Sequence, residues 1–282
     1  MESSTKIKTV NSKKKAIKRM KTIIPGTEED EKAKGFSKKT TMKEFKLPLF
    51  KEIINQTSFT ASSSETRPIL TGINFKINNN VLEVIATDSY RLAKKKIDVD
   101  VNVDNINVVI PCRNLLELSK IITDDNINLE IHLFTNKVLF KYKNILFQSR
   151  LLSGTYPASS NIIPLDFKIS VECELTKLFG MIDRASLLTS DKDKNTIKLI
   201  LENKILTIFS NSPEIGKVEE KMNVDNDNFI DISFSSKFML DAIKSFNKEK
   251  IVLCMNNDSS PIVIKSNEDD SLVQLVLPIK TC

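Results

Sequence analysis

From Phe45 onward the apolar positions fall into short alternating runs broken by stretches of helical spacing. Leu49, Phe50, Ile53, Ile54 and Thr57 recur every three or four residues and predict a helix. Pro48 suits its first turn, where no backbone N–H is needed. Strands are predicted around 69–77 and 81–87, joined by the turn-prone Asn78-Asn79-Asn80. A strand at 106–110, a helix at 113–122 and strands at 127–133, 138–142 and 144–147 follow. Residues 152–166, with Gly154, Pro157 and Pro164, read as a linker. Beyond it the order returns. A new copy opens at Phe167-Lys168-Ile169, with a helix near 176–186 and strands at 196–201, 205–210 and 229–234. A helix at 237–246 and strands at 251–255, 261–265 and 272–278 close the chain.

The two halves correspond at an offset of 124 residues: Ile73 with Ile197, Leu82 with Leu206, Ile106 with Ile230, Ile110 with Phe234, Leu116 with Leu240. Ile127 with Ile251, Leu129 with Leu253 and Val138 with Ile262 continue the register, and charge keeps it too, Arg113 matching Lys237 and Lys120 matching Lys244. A repeat this long means two copies of a domain rather than units of a solenoid. The pattern predicts an α+β chain: a polar tail over 1–44, one domain over 45–164 and a second over 165–282.

Charge changes this picture at one end. Residues 1–22 hold eight of the 42 Lys/Arg and one of the 36 Asp/Glu, so the remaining 260 residues sum to −1 against a net +6. Such a run reads as a solvated tail, or as an arm whose phosphate binding weakens with salt. No apolar run approaches the roughly 18 residues of a membrane-spanning helix, and no secretion signal opens the sequence, so a cytoplasmic location is expected. Cys112, Cys173, Cys254 and Cys282 stand singly, without disulfide or zinc spacing.

Catalytic chemistry is sparse. His132 is the lone histidine and sits in a strand pattern; the six glycines build no phosphate loop. Asp124-Asp125 and Asp269-Asp270 lie in turns. No catalytic residue, metal site or cofactor is expected, and the chain reads as a binder. Charge recurs on the helices: Lys51, Arg113, Lys120, Lys177, Arg184, Lys237 and Lys244. Equal placement of Arg113/Lys237 and Lys120/Lys244 favours a shared basic face that would attract a phosphate backbone without reading bases.

Several segments carry a resemblance. Thr66-Arg67-Pro68-Ile69-Leu70-Thr71-Gly72, Ala86-Thr87-Asp88-Ser89-Tyr90-Arg91-Leu92-Ala93 and Ser149-Arg150-Leu151-Leu152-Ser153-Gly154-Thr155-Tyr156-Pro157 closely resemble the middle domain of the bacterial sliding clamp, the β subunit of DNA polymerase III. Asp183-Arg184-Ala185-Ser186-Leu187-Leu188, Ser212-Pro213-Glu214-Ile215-Gly216 and the tail from Gln274 to Cys282 are similar to its third domain. The resemblance runs in order from about Phe45 to the C-terminus. It implies tandem clamp domains with helices on the inner face of a DNA-encircling ring and antiparallel sheets outside. Arg113, Lys120, Lys237 and Lys244 would then face DNA. The resemblance also implies a pocket for short peptides ending in apolar residues, built from Leu70, Thr87, Ser89, Tyr90, Arg91, Leu92, Pro157, Asn161, Ile162, Leu275, Val276, Leu277, Pro278 and Ile279. Tyr90 departs from the family's common histidine and Asn161 from a frequent arginine, which lowers the rim's positive charge.

The family has three such domains, and two subunits close head to tail, first domain against third. Here a lysine-rich tail stands where the first domain is expected. Leu187 and Leu188 match the third-domain edge of the subunit interface. The lead expectation is a non-catalytic processivity factor that binds duplex DNA, a polymerase, other clamp-binding peptides and a clamp loader. Three two-domain copies would restore six domains, with Leu187 and Leu188 meeting an edge within 45–85. The alternatives are a non-ring regulatory or decoy homologue that binds clamp partners or caps a full-length clamp, and a degenerate copy without a role.

Overall fold

The computed structural model describes residues 23–25, 40–99, 105–123, 128–158 and 162–280. Strands β1 (Ile23–Pro25) and β2 (Thr40–Lys46) precede helix α1 (Leu47–Thr57). Then come β3 (Gly72–Asn78), β4 (Val81–Thr87), β5 (Arg91–Asp98), β6 (Ile106–Pro111), α2 (Cys112–Ile121), β7 (Asn128–Leu133), β8 (Lys137–Tyr142) and β9 (Ile145–Arg150). The second copy runs β10 (Ile169–Glu174), α3 (Leu175–Ser186), β11 (Thr196–Glu202), β12 (Ile205–Ser212), β13 (Gly216–Asn223), β14 (Ile230–Ser235), α4 (Ser236–Lys244), β15 (Lys250–Met255), β16 (Ile262–Lys265) and β17 (Leu272–Val276). The predicted tail is thereby corrected: β2 starts at Thr40 and pairs with β7, so the first folded unit reaches upstream of 45, and β1 pairs with β9. The basic stretch 1–22 lies outside the described residues.

Each copy folds for the same local reasons. The β3–β4 hairpin turns through Asn79 and Asn80, both at positive φ, and β11–β12 turns through Asn203 and Lys204, also positive. A two-residue turn of this kind matches the twist of its flanking strands. Helix α1 buries Leu47, Phe50, Ile53 and Ile54; α3 buries Leu178, Met181, Ile182 and Ala185 on the matching face. The helices correspond at an offset of 128 (Phe50 with Leu178, Ile54 with Ile182), whereas β3 and β11 keep 124. Length differences therefore fall in connections, where they leave the two cores intact.

Each copy supplies two four-stranded halves, β2-β7-β8-β9 with β6-β3-β4-β5, and β10-β15-β16-β17 with β14-β11-β12-β13. Helices pack inside each copy, giving separate cores around Phe50, Leu115 and Phe140 and around Leu178, Phe234 and Met239. The copies join edge to edge, because β17 pairs with β5 from Leu272↔Lys95 to Val276↔Arg91 and makes one eight-stranded sheet. A third cluster lies on that sheet's other face. Leu70, Leu92 and Tyr156 meet Val252, Cys254 and Leu275 from the second copy, with Ile162 and Ile163 of the linker and Phe167 packed against them.

Besides β1, β2 and β10, the sequence pattern missed β5 and β13. Their residues Lys94-Lys95-Lys96 and Glu219-Glu220-Lys221 break the apolar alternation. In β5 the charge is neutralised locally. Lys95 is only 4% exposed, and its Nζ lies 3.0 Å from Glu52 Oε1 on α1.

Gly72 opens β3 where the linker crosses. A Cβ there would lie 2.6 Å from Val109 Cγ1, 2.8 Å from Leu152 Cδ1 and 2.9 Å from the Ile110 carbonyl oxygen. Gly72→Ala should cost about 1–3 kcal/mol through overpacking. Calorimetry should show a lower unfolding midpoint for the variant, and an unchanged midpoint would refute this packing.

Candidate peptide groove and basic helix faces

The sharp turn between β4 and β5 organises the groove at the junction. Asp88 Oδ1 accepts the backbone N–H of Tyr90 (2.9 Å) and of Arg91 (3.0 Å), closing the turn, and Ser89 takes φ of 80°. Thr87 is 4% exposed; its hydroxyl donates to the Arg91 carbonyl at 2.6 Å and accepts the Ser89 N–H. Arg91 is drawn into the domain junction. Its Nε meets Asp88 Oδ2 at 3.0 Å, its Nη1 meets Asp241 Oδ2 on α4 at 2.7 Å, and its guanidinium lies 4.3 Å from the Phe238 ring centroid. Thr87 and Arg91 thus shape the groove more than they line it.

The C-terminal segment forms the opposite wall. The Leu277 N–H donates to the Tyr90 carbonyl at 2.9 Å, and the Ile279 N–H to the Ser233 carbonyl at 2.7 Å. Alternation along β17 sorts the expected residues. Leu275 joins the outer-face cluster with Leu70, Leu92, Ile162 and Leu277, while Val276 is buried in the second copy's own core. Val276 is therefore corrected to a core residue. Beside this cluster a cavity of about 540 Å³ is lined by Tyr90, Phe238, Leu277, Pro278 and Ile279, with Asp191, Lys194, Asn195, Ser235, Lys237 and Lys280. Leu277 belongs to both. Pro157 is exposed beyond this cavity, and Asn161 lies outside the described residues.

Sequence reasoning missed the 191–195 loop, Ser235, Phe238 and Lys280. They come from elements far apart in sequence, and their one local signal is the left-handed turn at Lys194 and Asn195 (φ 54° and 51°). Three lysines against one aspartate make this cavity's rim cationic, offsetting the reduced rim charge expected from Asn161.

The four expected DNA-facing cations are exposed. Arg113 and Lys120 sit seven residues apart on α2, as do Lys237 and Lys244 on α4, so each pair shares a helix face. Their surroundings differ. Lys120 Nζ is 3.1 Å from Glu117, Lys244 lies over the Phe179 ring at 5.2 Å, and Lys237 at the start of α4 lines the cavity. Leu187, just past α3, is 75% exposed, and Leu188 beside it is half-buried. His132 is buried in β7 with Nε2 3.4 Å from Glu130. Among the described residues no His/Cys/Asp/Glu group has metal-binding geometry, and no helix is long and apolar enough to cross a membrane.

Repeated α+β units joined through a continuous sheet, with a groove at the joint, define a tandem clamp-domain protein. Comparison with known proteins agrees. Residues 44–158 match the DNA polymerase III beta subunit central domain and residues 160–280 match its C-terminal domain. A beta sliding clamp of Staphylococcus epidermidis is 42% identical over 236 residues, 83% of this chain and 62% of that protein; one from Staphylococcus aureus is 40% identical over 235 residues, with the same coverage. The crystal structure of a Bacillus subtilis DNA polymerase sliding clamp superposes with a TM-score of 0.83 at 40% identity, covering 88% of this chain and 66% of that one. A Streptococcus pneumoniae DNA polymerase III beta chain gives 0.82 at 36% identity, covering 87% and 66%. The chain belongs to the DNA polymerase III β subunit, or sliding-clamp, family. It spans about 62% of the length of those Staphylococcus relatives.

Tyr156, unassigned by the sequence reading, ties the groove floor together. Its hydroxyl accepts the Thr87 N–H at 3.1 Å and donates to the Gly72 carbonyl at 3.3 Å, and burial pushes its phenol pKa up. Tyr156→Phe should cost about 1–3 kcal/mol by leaving the Thr87 N–H unpaired. A raised folded-state pKa means that the tyrosine's contribution is complete below the ordinary phenol value of about 10 and declines above it. Urea unfolding at pH 8 and pH 10.5 should therefore show the stability gap narrowing at the higher pH. A constant gap would contradict the buried-phenol assignment.

Proposed function

We propose that this chain is a sliding-clamp-type processivity factor, a non-catalytic protein that holds duplex DNA loosely and carries polymerase-class partners by short peptides. The single observation that carries the reading is the pair of clamp domains meeting at a groove with Leu277 at its centre. Arg113, Lys120 and Lys244 supply sequence-blind phosphate contact, and Lys237 stands where the α4 face meets the groove. Contact of that kind suits sliding, because it fixes no register on the bases. A clamp loader and further copies of the chain are the partners such a ring needs, and the cytoplasm is the compartment where they meet.

In the groove, an apolar peptide end would seat against Leu277, Pro278 and the Tyr90 and Phe238 rings. Large apolar anchors in a small pocket dominate such binding energies. Lys194, Lys237 and Lys280 favour acidic residues beside the anchor.

Two measurements test this. Calorimetry with a synthetic peptide bearing acidic residues beside a C-terminal apolar pair should show binding that weakens at least about tenfold in Leu277→Asp, as loss of an anchor contact implies; equal affinity would remove the groove from the reading. Titration of duplex DNA across a salt series should show weaker binding in Arg113→Glu/Lys120→Glu/Lys244→Glu, with a shallower salt dependence. An unchanged slope would overturn the helix-face assignment.

A further inference from the structure

The internal duplication fixes which sheet edges can join one copy to another. Within the chain the joint is β17 against β5. The first copy's counterpart of β17 is β9, and the second copy's counterpart of β5 is β13, so β9 and β13 are the two equivalent edges left over. The segment 45–85 does not provide such an edge, since its strands β3 and β4 are interior to the sheet.

The register can be carried across. Gln274 opposes Ala93 in the joint. Phe147 is the counterpart of Gln274, because each pairs with the equivalent neighbour (Phe140 and Ile264, 124 apart). Val218 is the counterpart of Ala93 by the same test (Ser210 and Ala86). A β13–β9 joint between two molecules would thus set Phe147 against Val218 and Leu146 against Glu219. Leu187 supports this placement independently. Its counterpart just past α1 is Phe59, whose ring lies 5.6 Å from the Arg91 guanidinium at the internal joint, whereas Leu187 is exposed.

The β9 edge, however, is occupied. Ile23, Ile24 and Pro25 pair antiparallel with Phe147, Leu146 and Ile145, so Ile23 takes the place assigned to Val218 of a second copy. The contact is shorter than the internal joint, three positions against five, and Pro25 contributes no N–H. We propose that Ile23–Pro25 is an intramolecular competitor for the β13 edge of a second copy of this chain, displaced when copies associate head to tail. This rests on the reading of the chain as a ring-forming clamp. An open strand edge invites uncontrolled pairing, and a short, displaceable strand blunts it until the proper partner arrives.

Light scattering over a concentration series tests the competition. Ile23→Gly/Ile24→Gly keeps the tail charge but weakens β1, and should associate at about tenfold lower concentration than the unaltered chain if the blocked state is about nine-tenths populated. Adding Leu187→Asp should abolish that association. In the other direction, Ile24→Cys/Leu146→Cys links register partners whose Cα separation suits a disulfide. Its oxidised form should stay at the mass of one chain at concentrations where its reduced form associates. Equal association of the oxidised and reduced forms, or equal midpoints for the glycine variant and the unaltered chain, overturns the competition and leaves the clamp reading standing. One-chain mass for every protein, the glycine variant included, overturns both.

Discussion

The rest of the structure depends on one backbone ladder, the pairing of β17 with β5 that turns two half-domains into an eight-stranded sheet. Backbone pairing fixes spacing and orientation more tightly than side-chain contact can, because each N–H and C=O must find its partner. The ladder is locked on its helical side. Gln274 is fully buried and donates to the Gln56 carbonyl at 2.8 Å and to Ser245 Oγ at 2.9 Å. At the end of the ladder Arg91 bridges Asp88 of its own turn to Asp241 of α4. A partly buried ion pair of this kind adds little net stability, but removing one partner leaves the other charge uncompensated. The groove follows from the same ladder, since Leu277 and Ile279 extend β17 past the turn at Tyr90.

Much of this was legible in the chain. The apolar spacing of Phe50, Ile53 and Ile54, and its return at Leu178, Met181 and Ile182, marks helices because packing against a sheet demands one apolar face. The duplication was visible for the same reason, strand by strand. What could not be read was the edge chemistry. Lys94–Lys96 and Glu219–Lys221 conceal β5 and β13, because a strand at a joint or rim uses charges that an interior strand excludes. Ile23–Pro25, stranded in polar sequence, carries no periodicity that would betray a strand.

The groove was legible only in part. Leu70, Leu92, Ile162, Leu275 and Leu277 gather in one apolar cluster, but strand alternation sends Val276 into the opposite core. Thr87 and Arg91 are spent on the turn and the junction. The cationic rim comes from the 191–195 loop and the start of α4, positions that only the fold brings to the C-terminal segment.

On the proposed reading, DNA contact is weak and persistence on DNA comes from topology. Retention on DNA with and without free ends measures that directly. On closed circular duplex at moderate salt the protein should remain bound through gel filtration once loaded, and linearising the circle should release it within the same run. Equal retention on both forms would mean that the chain holds DNA by charge alone and would contradict a clamp that encircles it.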